Sequence, residues 1–376
     1  MAKNIYVAAT SQHVGKTTST LGLVAVLQQK GINVGYCKPV GQQFVDLGEL
    51  KVDKDALLFA KTMNFELVSE IHSPVILGKG ATTAFLDNPE DFDYPERIRN
   101  ASIVLEKAHD LVIYEGTGHP GVGSVVNLSN ARVAKMLNAS VVMVVEGGIG
   151  STIDRLNLSI ALFKKAQVPI IGVIINKVLP DKIDKVRKYV GQWLESRGMP
   201  LLGVLPYQKS LSNPIMETII DTVNGQVLMN EEYLDNRIEG IIAGSLVESH
   251  DFQTERDLLL VSSGRRVCEA IDAIEESMKK IQRADECPLA GVIITGDGKM
   301  NGQPFDEIIC TEYLNRHRIP VISTHLDTYG SAVKISGIEV KINTRTPWKV
   351  TQANELIRKH INLEPIISRV TSSGPA

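Results

Sequence analysis

The densest run of chemistry-bearing residues is Ala9-Thr10-Ser11-Gln12-His13-Val14-Gly15-Lys16-Thr17-Thr18. It lies between an apolar run, Ile5 to Ala9, and an amphipathic one, Thr18 to Lys30. Strand, tight loop and helix in that order let backbone amides cradle a phosphate. Gly15 lets the chain approach an anion closely, and the following helix presents unpaired N–H groups and its positive dipole end. Lys16 then reaches a β- or γ-phosphate, and the Thr17 hydroxyl is placed to ligate Mg²⁺. Thr10 stands where such loops usually carry their first glycine. The segment predicts a nucleoside triphosphate site lined by Gln12, His13, Val14, Gly15, Lys16, Thr17 and Thr18.

Three further segments carry polar groups at strand ends. In Cys37-Lys38-Pro39-Val40-Gly41-Gln42-Gln43 a lysine follows a short apolar run and is fixed by the next proline. On this segment alone, a solvated loop lysine and a ligand-facing one are equally good readings. In Lys51-Val52-Asp53-Lys54-Asp55-Ala56-Leu57-Leu58 the acids suit helix caps, and beside a nucleotide one of them suits Mg²⁺. In Leu111-Val112-Ile113-Tyr114-Glu115-Gly116-Thr117-Gly118-His119-Pro120-Gly121 a carboxylate ends a wholly apolar strand. An acid in that position needs a partner, and the glycines let ligand and backbone come close. His119 reads as a solvated loop histidine unless a proton must be carried there.

Alternation of short β-rich runs with helical patterns implies a parallel sheet covered by helices. Strands are expected at Asn4–Ala9, Asn33–Cys37, Leu111–Tyr114, Val141–Val145, Ile170–Ile175 and Leu201–Leu205. Helices are expected at Thr17–Lys30, Asp55–Lys61, Pro95–Ala108, Asn130–Leu137, Thr152–Ala166 and Asp181–Arg197. The Lys38 loop, the Glu115 loop, the Glu146–Ser151 loop and Asn176 then share the carboxyl edge with the phosphate loop, where ligands of such sheets bind. The pattern loosens between Tyr207 and Asn230, and a second α/β region follows. Its expected strands are Ile238–Ala243, Leu258–Val261, Leu289–Thr295, Pro320–Thr324 and Glu339–Ile342. Its expected helices are Val267–Arg283 and Phe305–Arg316, and a last helix spans Lys349–Ile361. The domains expected are 1–212, 213–362 and a polar tail, 363–376.

Bulk properties suit a cytoplasmic enzyme or sensor. The 376 residues allow two or three domains, and a net charge of −3 argues against a nucleic-acid or anionic-membrane partner. The four cysteines, Cys37, Cys268, Cys287 and Cys310, show no metal-like spacing and read as thiols in a reducing compartment. A strand at the very start leaves no room for a signal peptide, and no apolar run approaches a membrane span.

The strings ATSQHVGKT, CKPVGQ, DKDAL, IYEGTG, VIINKV and GVLPY together resemble dethiobiotin synthetase and its cobyrinate amide synthase relatives. They also resemble the synthetase-like amino-terminal domain of some bacterial phosphate acetyltransferases. The later strings VSSGRRVCEAID, VIITGDG and LDTYGSAVKI look like the DRTGG domain that follows it there, without a literal DRTGG string. The fold implied is an α/β P-loop NTPase sheet, parallel and with helices on both faces, plus a second, smaller α/β domain. The resemblance implies that Lys16 and the loop amides hold the triphosphate of ATP, and that Thr17, Asp55 and Glu115 surround Mg²⁺. Lys38 would face the anionic acceptor or the transferred phosphoryl group, Asn176 would read the adenine, and Pro206 would lie near it. Such phosphoryl transfer relies on positioning and on neutralising charge.

Departures gather on the acceptor side. Gln42 stands where a substrate-binding serine is expected, His119 where a glycine is usual, and Glu146-Gly147-Gly148-Ile149-Gly150-Ser151-Thr152 replaces the loop that receives a carboxylate tail. Glu146 would repel that tail unless paired or turned away. The expected function is Mg-dependent ATP binding, with phosphoryl transfer to a small carboxylate or carbamate, or ATP hydrolysis. The alternative is a nucleotide and metabolite sensor. No Gly-x-Cys-x-Gly elbow offers a thiol for glutamine, and the short stretch past Ile361 leaves no length for acetyl transfer. Expected partners are an anionic small molecule and further copies of the chain. In the second region Val261-Ser262-Ser263-Gly264-Arg265-Arg266 suits an anion or a solvated basic helix start.

Overall fold

The computed structural model describes residues 4–46, 48, 51–243, 246–247, 252–296 and 310–371. The chain divides into two compact units, Met1–Gln208 with Ile342–Ala376, and Lys209–Lys341. In the first, six strands form one sheet: β1 (Asn4–Ala9), β2 (Val34–Cys37), β3 (Leu111–Glu115), β4 (Ser140–Glu146), β5 (Ile170–Val178) and β6 (Leu201–Pro206). Their order is β6-β5-β4-β1-β3-β2, and every pairing is parallel. All residues of β1 and β3 are buried, as continuous apolar runs require when helices cover both faces. From β1 the chain runs to the edge strand β2, returns to β3 between them, and then extends the other way through β4, β5 and β6, so the crevice at the carboxyl ends of β1 and β3 is the switch point where such sheets bind ligands.

Among the helices that follow these strands are α1 (Lys16–Gln29), α2 (Lys54–Met63), α3 (Tyr94–Ala108), α4 (Asn130–Met136), α5 (Gly150–Lys165) and α6 (Ile183–Glu195). Tyr6, Val112, Tyr114, Val141 and Val145 join one core cluster with Ile98 of α3, Ala131 of α4, Ile160 of α5 and Val190 of α6. Ile5 and Val7 point the other way and are equally buried. Helix α1 departs from the amphipathic expectation. Leu21, Leu23, Val24, Val26 and Leu27 are all buried, so apolar positions run round the helix. A helix of that kind is covered on more than one side.

The second unit carries a five-stranded sheet. Its strands are β7 (Gln226–Met229), β8 (Gly240–Ala243), β9 (Leu258–Ser263), β10 (Leu289–Thr295) and β11 (Val321–Ser323), in the order β7-β11-β10-β9-β8. Only β7 runs antiparallel to its neighbour. Helices α7 (Met216–Val223), α8 (Val267–Lys280), α9 (Thr311–Arg316) and α10 (Thr328–Ser336) accompany it. The expected strand Glu339–Ile342 does not form. The expected helix Phe305–Arg316 is represented by α9, its first residues lying outside those described. The Asp297-Gly298 part of the loop after β10 and the tail from Ser372 also lie outside them.

The last two helices, α11 (Pro347–His360) and α12 (Glu364–Thr371), belong to the first unit. The division therefore differs from a domain at 213–362 with a polar tail after it. Ile357 of α11 packs where a Cβ on Gly22 of α1 would stand. Past α11 the chain pairs with β6, Ile361 bridging to Gly203 and Asn362 N donating to Leu202 O at 2.7 Å. Leu363 and Ile366 are buried, and this anchors α12, where the sequence had suggested a tail. Among the described residues, no helix is long and apolar enough to cross a membrane.

Candidate functional site

The loop after β1 turns sharply through left-handed backbone at His13 (φ 58°) and Gly15 (φ 89°). A Cβ at Gly15 would lie 2.1 Å from Asn176 Nδ2. Asn176, at the end of β5, donates to Val14 O at 2.8 Å, and its Oδ1 accepts from Lys177 N at 2.8 Å. Lys177 donates through Nζ to His13 O at 2.6 Å. Two carbonyls of the loop are thus turned towards β5, which fixes the loop against its neighbour. Asn176 braces the loop here, and the adenine contact implied for it is a separate matter. Pro206 pairs in register with Val178 on the adjoining strand end.

Lys16 opens α1 and donates to Gly118 O at 3.4 Å, reaching across to the loop after β3. Gln12 is exposed, with its Cγ 3.6 Å from where a Gly118 Cβ would stand. Thr17 donates to Glu115 Oε1 at 2.8 Å. Glu115 is fully buried and also accepts from Tyr36 Oη at 3.3 Å. Lys38 donates to Asp55 Oδ2 at 2.6 Å, to Glu115 Oε1 at 3.2 Å and to Gly116 O at 3.3 Å. Burial pulls the Lys38 pKa down, but Asp55, Glu115 and Asp53, with the Asp55 hydrogen bond, more than offset it, and the ammonium titrates above its ordinary range. Residues from β2, α2, β3 and α1 meet here, as their places at one sheet edge imply. Thr18, in the first turn of α1, is half-buried beside them.

The two readings of the Asp53–Asp55 segment fall on different residues. Asp53 caps α2, its Oδ1 accepting from Asp55 N at 2.9 Å, while Asp55 faces Lys38. Burial pushes the Asp53 carboxyl up, Lys38 draws it back, Asp55 raises it again, and the result is about 6. Among the described residues no three His, Cys, Asp or Glu side chains meet as a ready metal cage. The oxygens of Thr17, Asp55 and Glu115 nonetheless fit a magnesium ion, which takes one or two carboxylates and completes its shell with water and phosphate oxygens.

Several positioning residues escaped the sequence reading. Asn130 Oδ1 accepts from Tyr6 Oη at 2.7 Å and from Thr117 N at 3.0 Å. Its Nδ2 donates to Thr117 O at 2.8 Å and His119 O at 2.6 Å, which sets the Glu115–His119 loop. Thr117 Oγ1 donates to Val40 O and ties that loop to the Lys38 segment. In the sequence Asn130 stood only as the first residue of an expected helix. Glu146 is paired with Arg155, at 3.3 Å, which answers the repulsion expected of it. Gln42 is exposed. In the second unit Arg265 and Arg266 are exposed, and Arg266 Nε lies 3.9 Å from Glu269, as on a solvated helix start.

The chain is similar to phosphate acetyltransferase of Nitrosomonas europaea, 23% identical over 97% of this chain and 51% of that protein. It is similar to the Pseudomonas putida enzyme of the same name, 25% identical over 96% of this chain and 51% of that protein. The chain thus spans about half the length of these curated relatives. ATP-dependent dethiobiotin synthetase BioD of Clostridium kluyveri is 28% identical over 48% of this chain and 77% of that protein. Among solved structures, the MinD cell division protein of Aquifex aeolicus matches 56% of this chain and 84% of its own, at 15% identity and a TM-score of 0.37. The AAA_26 family, described as an AAA domain, matches residues 3–215, from the start of β1 to beyond the end of β6. That match takes in the phosphate loop, Lys38, Asp55, Glu115 and Asn176, and the chain belongs to the AAA_26 family.

Proposed function

We propose that the first unit binds Mg·ATP and transfers its γ-phosphoryl group to a small carboxylate or carbamate. The observation that carries this reading is the convergence of Lys16, Thr17, Lys38, Asp55 and Glu115 at the end of β1. The similarity to a synthetase whose name states ATP dependence supports the choice of nucleotide. The loop amides and Lys16 hold the β- and γ-phosphates, and Asn176 and Lys177 keep the loop in shape to do so. Bound magnesium supplies charge neutralisation for the phosphoryl oxygens. Lys38 is held by two carboxylates next to the phosphate loop, and it orients the anionic acceptor there. Catalysis of this kind is positioning and electrostatics, and every group named is preorganised by a strand end or a helix start.

A sensor of nucleotide is the second reading, supported by the phosphate acetyltransferase relatives that match across both units. Its second unit would be of DRTGG type and would bind a metabolite. Calorimetry and a phosphate-release assay separate the two. Mg·ATP at a hundred times its dissociation constant should stabilise the fold by about 2.7 kcal/mol, and Lys16→Ala should remove that effect. ATP consumption that rises with an added acceptor and is lost in Lys38→Ala supports the enzyme; binding with no consumption under any acceptor supports the sensor. Undiminished ATP binding by Lys16→Ala would sink both.

A further inference from the structure

The ammonium of Lys38 has three hydrogens, and each has a partner. They go to Asp55 Oδ2 at 2.6 Å, Glu115 Oε1 at 3.2 Å and Gly116 O at 3.3 Å. The Lys38 side chain is only 5% exposed. Held in this way, it offers an incoming anion neither a donor nor an approach. Glu115 is equally committed: Oε1 also accepts from Thr17 Oγ1 at 2.8 Å, Oε2 accepts from Tyr36 Oη, and the side chain is fully buried. The carboxylates that fit a magnesium ion are therefore the same two that hold Lys38.

Charge decides which cation keeps them. Two carboxylates with little water around them need a counter-ion, and leaving either unpaired is costly. Lys38 answers one of the two negative charges, whereas a divalent ion answers both. An ammonium and a divalent ion at the same oxygens also repel each other, strongly so where water is sparse. With the metal on Asp55 and Glu115, Lys38 loses the attraction that buries it and meets a like charge. Its remaining partner, Gly116 O, lies two residues from Gly118, whose carbonyl accepts from Lys16 at 3.4 Å. Lys38 is then released on the loop that Lys16 already touches, beside the group assigned to the phosphates.

We propose that Lys38 is the exchangeable counter-ion of the magnesium site: it holds Asp55 and Glu115 until the metal nucleotide arrives, yields both carboxylates, and only then presents its ammonium to the anionic acceptor. The inference rests on the Mg·ATP reading and adds an order to it, metal nucleotide first and acceptor second. Only hydrogen bonds and ion pairs change in the exchange.

Two measurements on the full chain test it, and neither reads activity. The first is calorimetric titration with Mg²⁺ alone. Lys38→Met keeps most of the side-chain length and removes the competing charge, so Mg²⁺ should bind it at least about tenfold more tightly than wild type, and adding Asp55→Asn should cancel the gain. A variant that had merely lost structure would bind the ion more weakly. The second leaves Lys38 in place. In protein carrying ¹⁵N-labelled lysine, the buried ammonium should give its own NMR signal, identified by its loss in Lys38→Arg. ADP with a chelator should leave that signal where it is, and Mg·ADP should shift it or lose it to exchange with water. Mg²⁺ affinity that is equal or lower in Lys38→Met, or a signal unmoved at saturating Mg·ADP, overturns the inference and leaves the nucleotide reading standing. Where Lys38→Met does not fold, the signal alone decides. Mg·ADP and Mg·ATP that both fail to bind wild type overturn the nucleotide reading instead, and the titration with Mg²⁺ alone still decides whether Lys38 guards the carboxylates.

Discussion

At Gly15 two constraints coincide: left-handed backbone, and a Cβ position 2.1 Å from the Asn176 amide. Gly15→Ala meets both, the first alone costing about 1–2 kcal/mol. Calorimetry should find Mg·ATP binding lost, and adding Asn176→Ala should not restore it, because the backbone strain remains. Asp53 gives a pH-dependent test. Its folded pKa, about 6, lies above the 3.8 of the free group, so its stabilising contribution is full below about pH 4 and is lost as pH rises through about 6. Asp53→Asn keeps the helix cap and removes this titration. Denaturant unfolding at pH 4 and pH 7 should show a smaller loss of stability in the variant, by at most about 3 kcal/mol. Lys16, Thr17, Asp55 and Glu115 were legible because their types stand at strand ends and helix starts within short motifs. Asn130 and Lys177 were not, because what they do depends on carbonyls far along the chain.

At the scale of elements, α1 is held between the sheet and α11, and at Gly22 the two helices approach closely. A Cβ there would stand 2.2 Å from Ile357 Cγ1 and 2.8 Å from Ala353 O. Helix propensity favours Gly22→Ala by about 1 kcal/mol, while overpacking costs about 1–3. The backbone oxygen cannot swing aside, so packing wins and thermal unfolding should show a net loss. The strands of the first sheet were legible to within a few residues, since wholly apolar runs allow little else. Helix α11 was legible as a helix but not as the second cover of α1. That cover is encoded in apolar positions running round α1, which a search for one-sided helices overlooks. The edge strand β7 was missed because its residues are only half-buried and its one partner, β11, is distant in sequence.

The molecule as a whole joins a contiguous unit, Lys209–Lys341, to one assembled from both ends of the chain. A fragment of residues 209–341 keeps all five strands of its sheet and should unfold cooperatively on its own. Residues 1–208 alone lack α11, leaving the Gly22 side of α1 bare. That fragment should bind hydrophobic dyes and aggregate, and supplying 342–376 as a separate peptide should reduce both. Recovery of a soluble, dye-silent 1–208 fragment would show that α11 is dispensable.

The same arrangement sets an order of events on the ribosome. Translation runs from the amino end, and contiguous units ordinarily fold as they emerge. Here the nucleotide-site unit is begun first yet is finished after the second unit, because α11 and α12 follow residue 341 along the chain. During that interval the phosphate loop exists without the layer that backs its helix. The second unit, begun later, is complete earlier. Synthesis of this chain therefore delays a competent nucleotide site until the second unit has also been made.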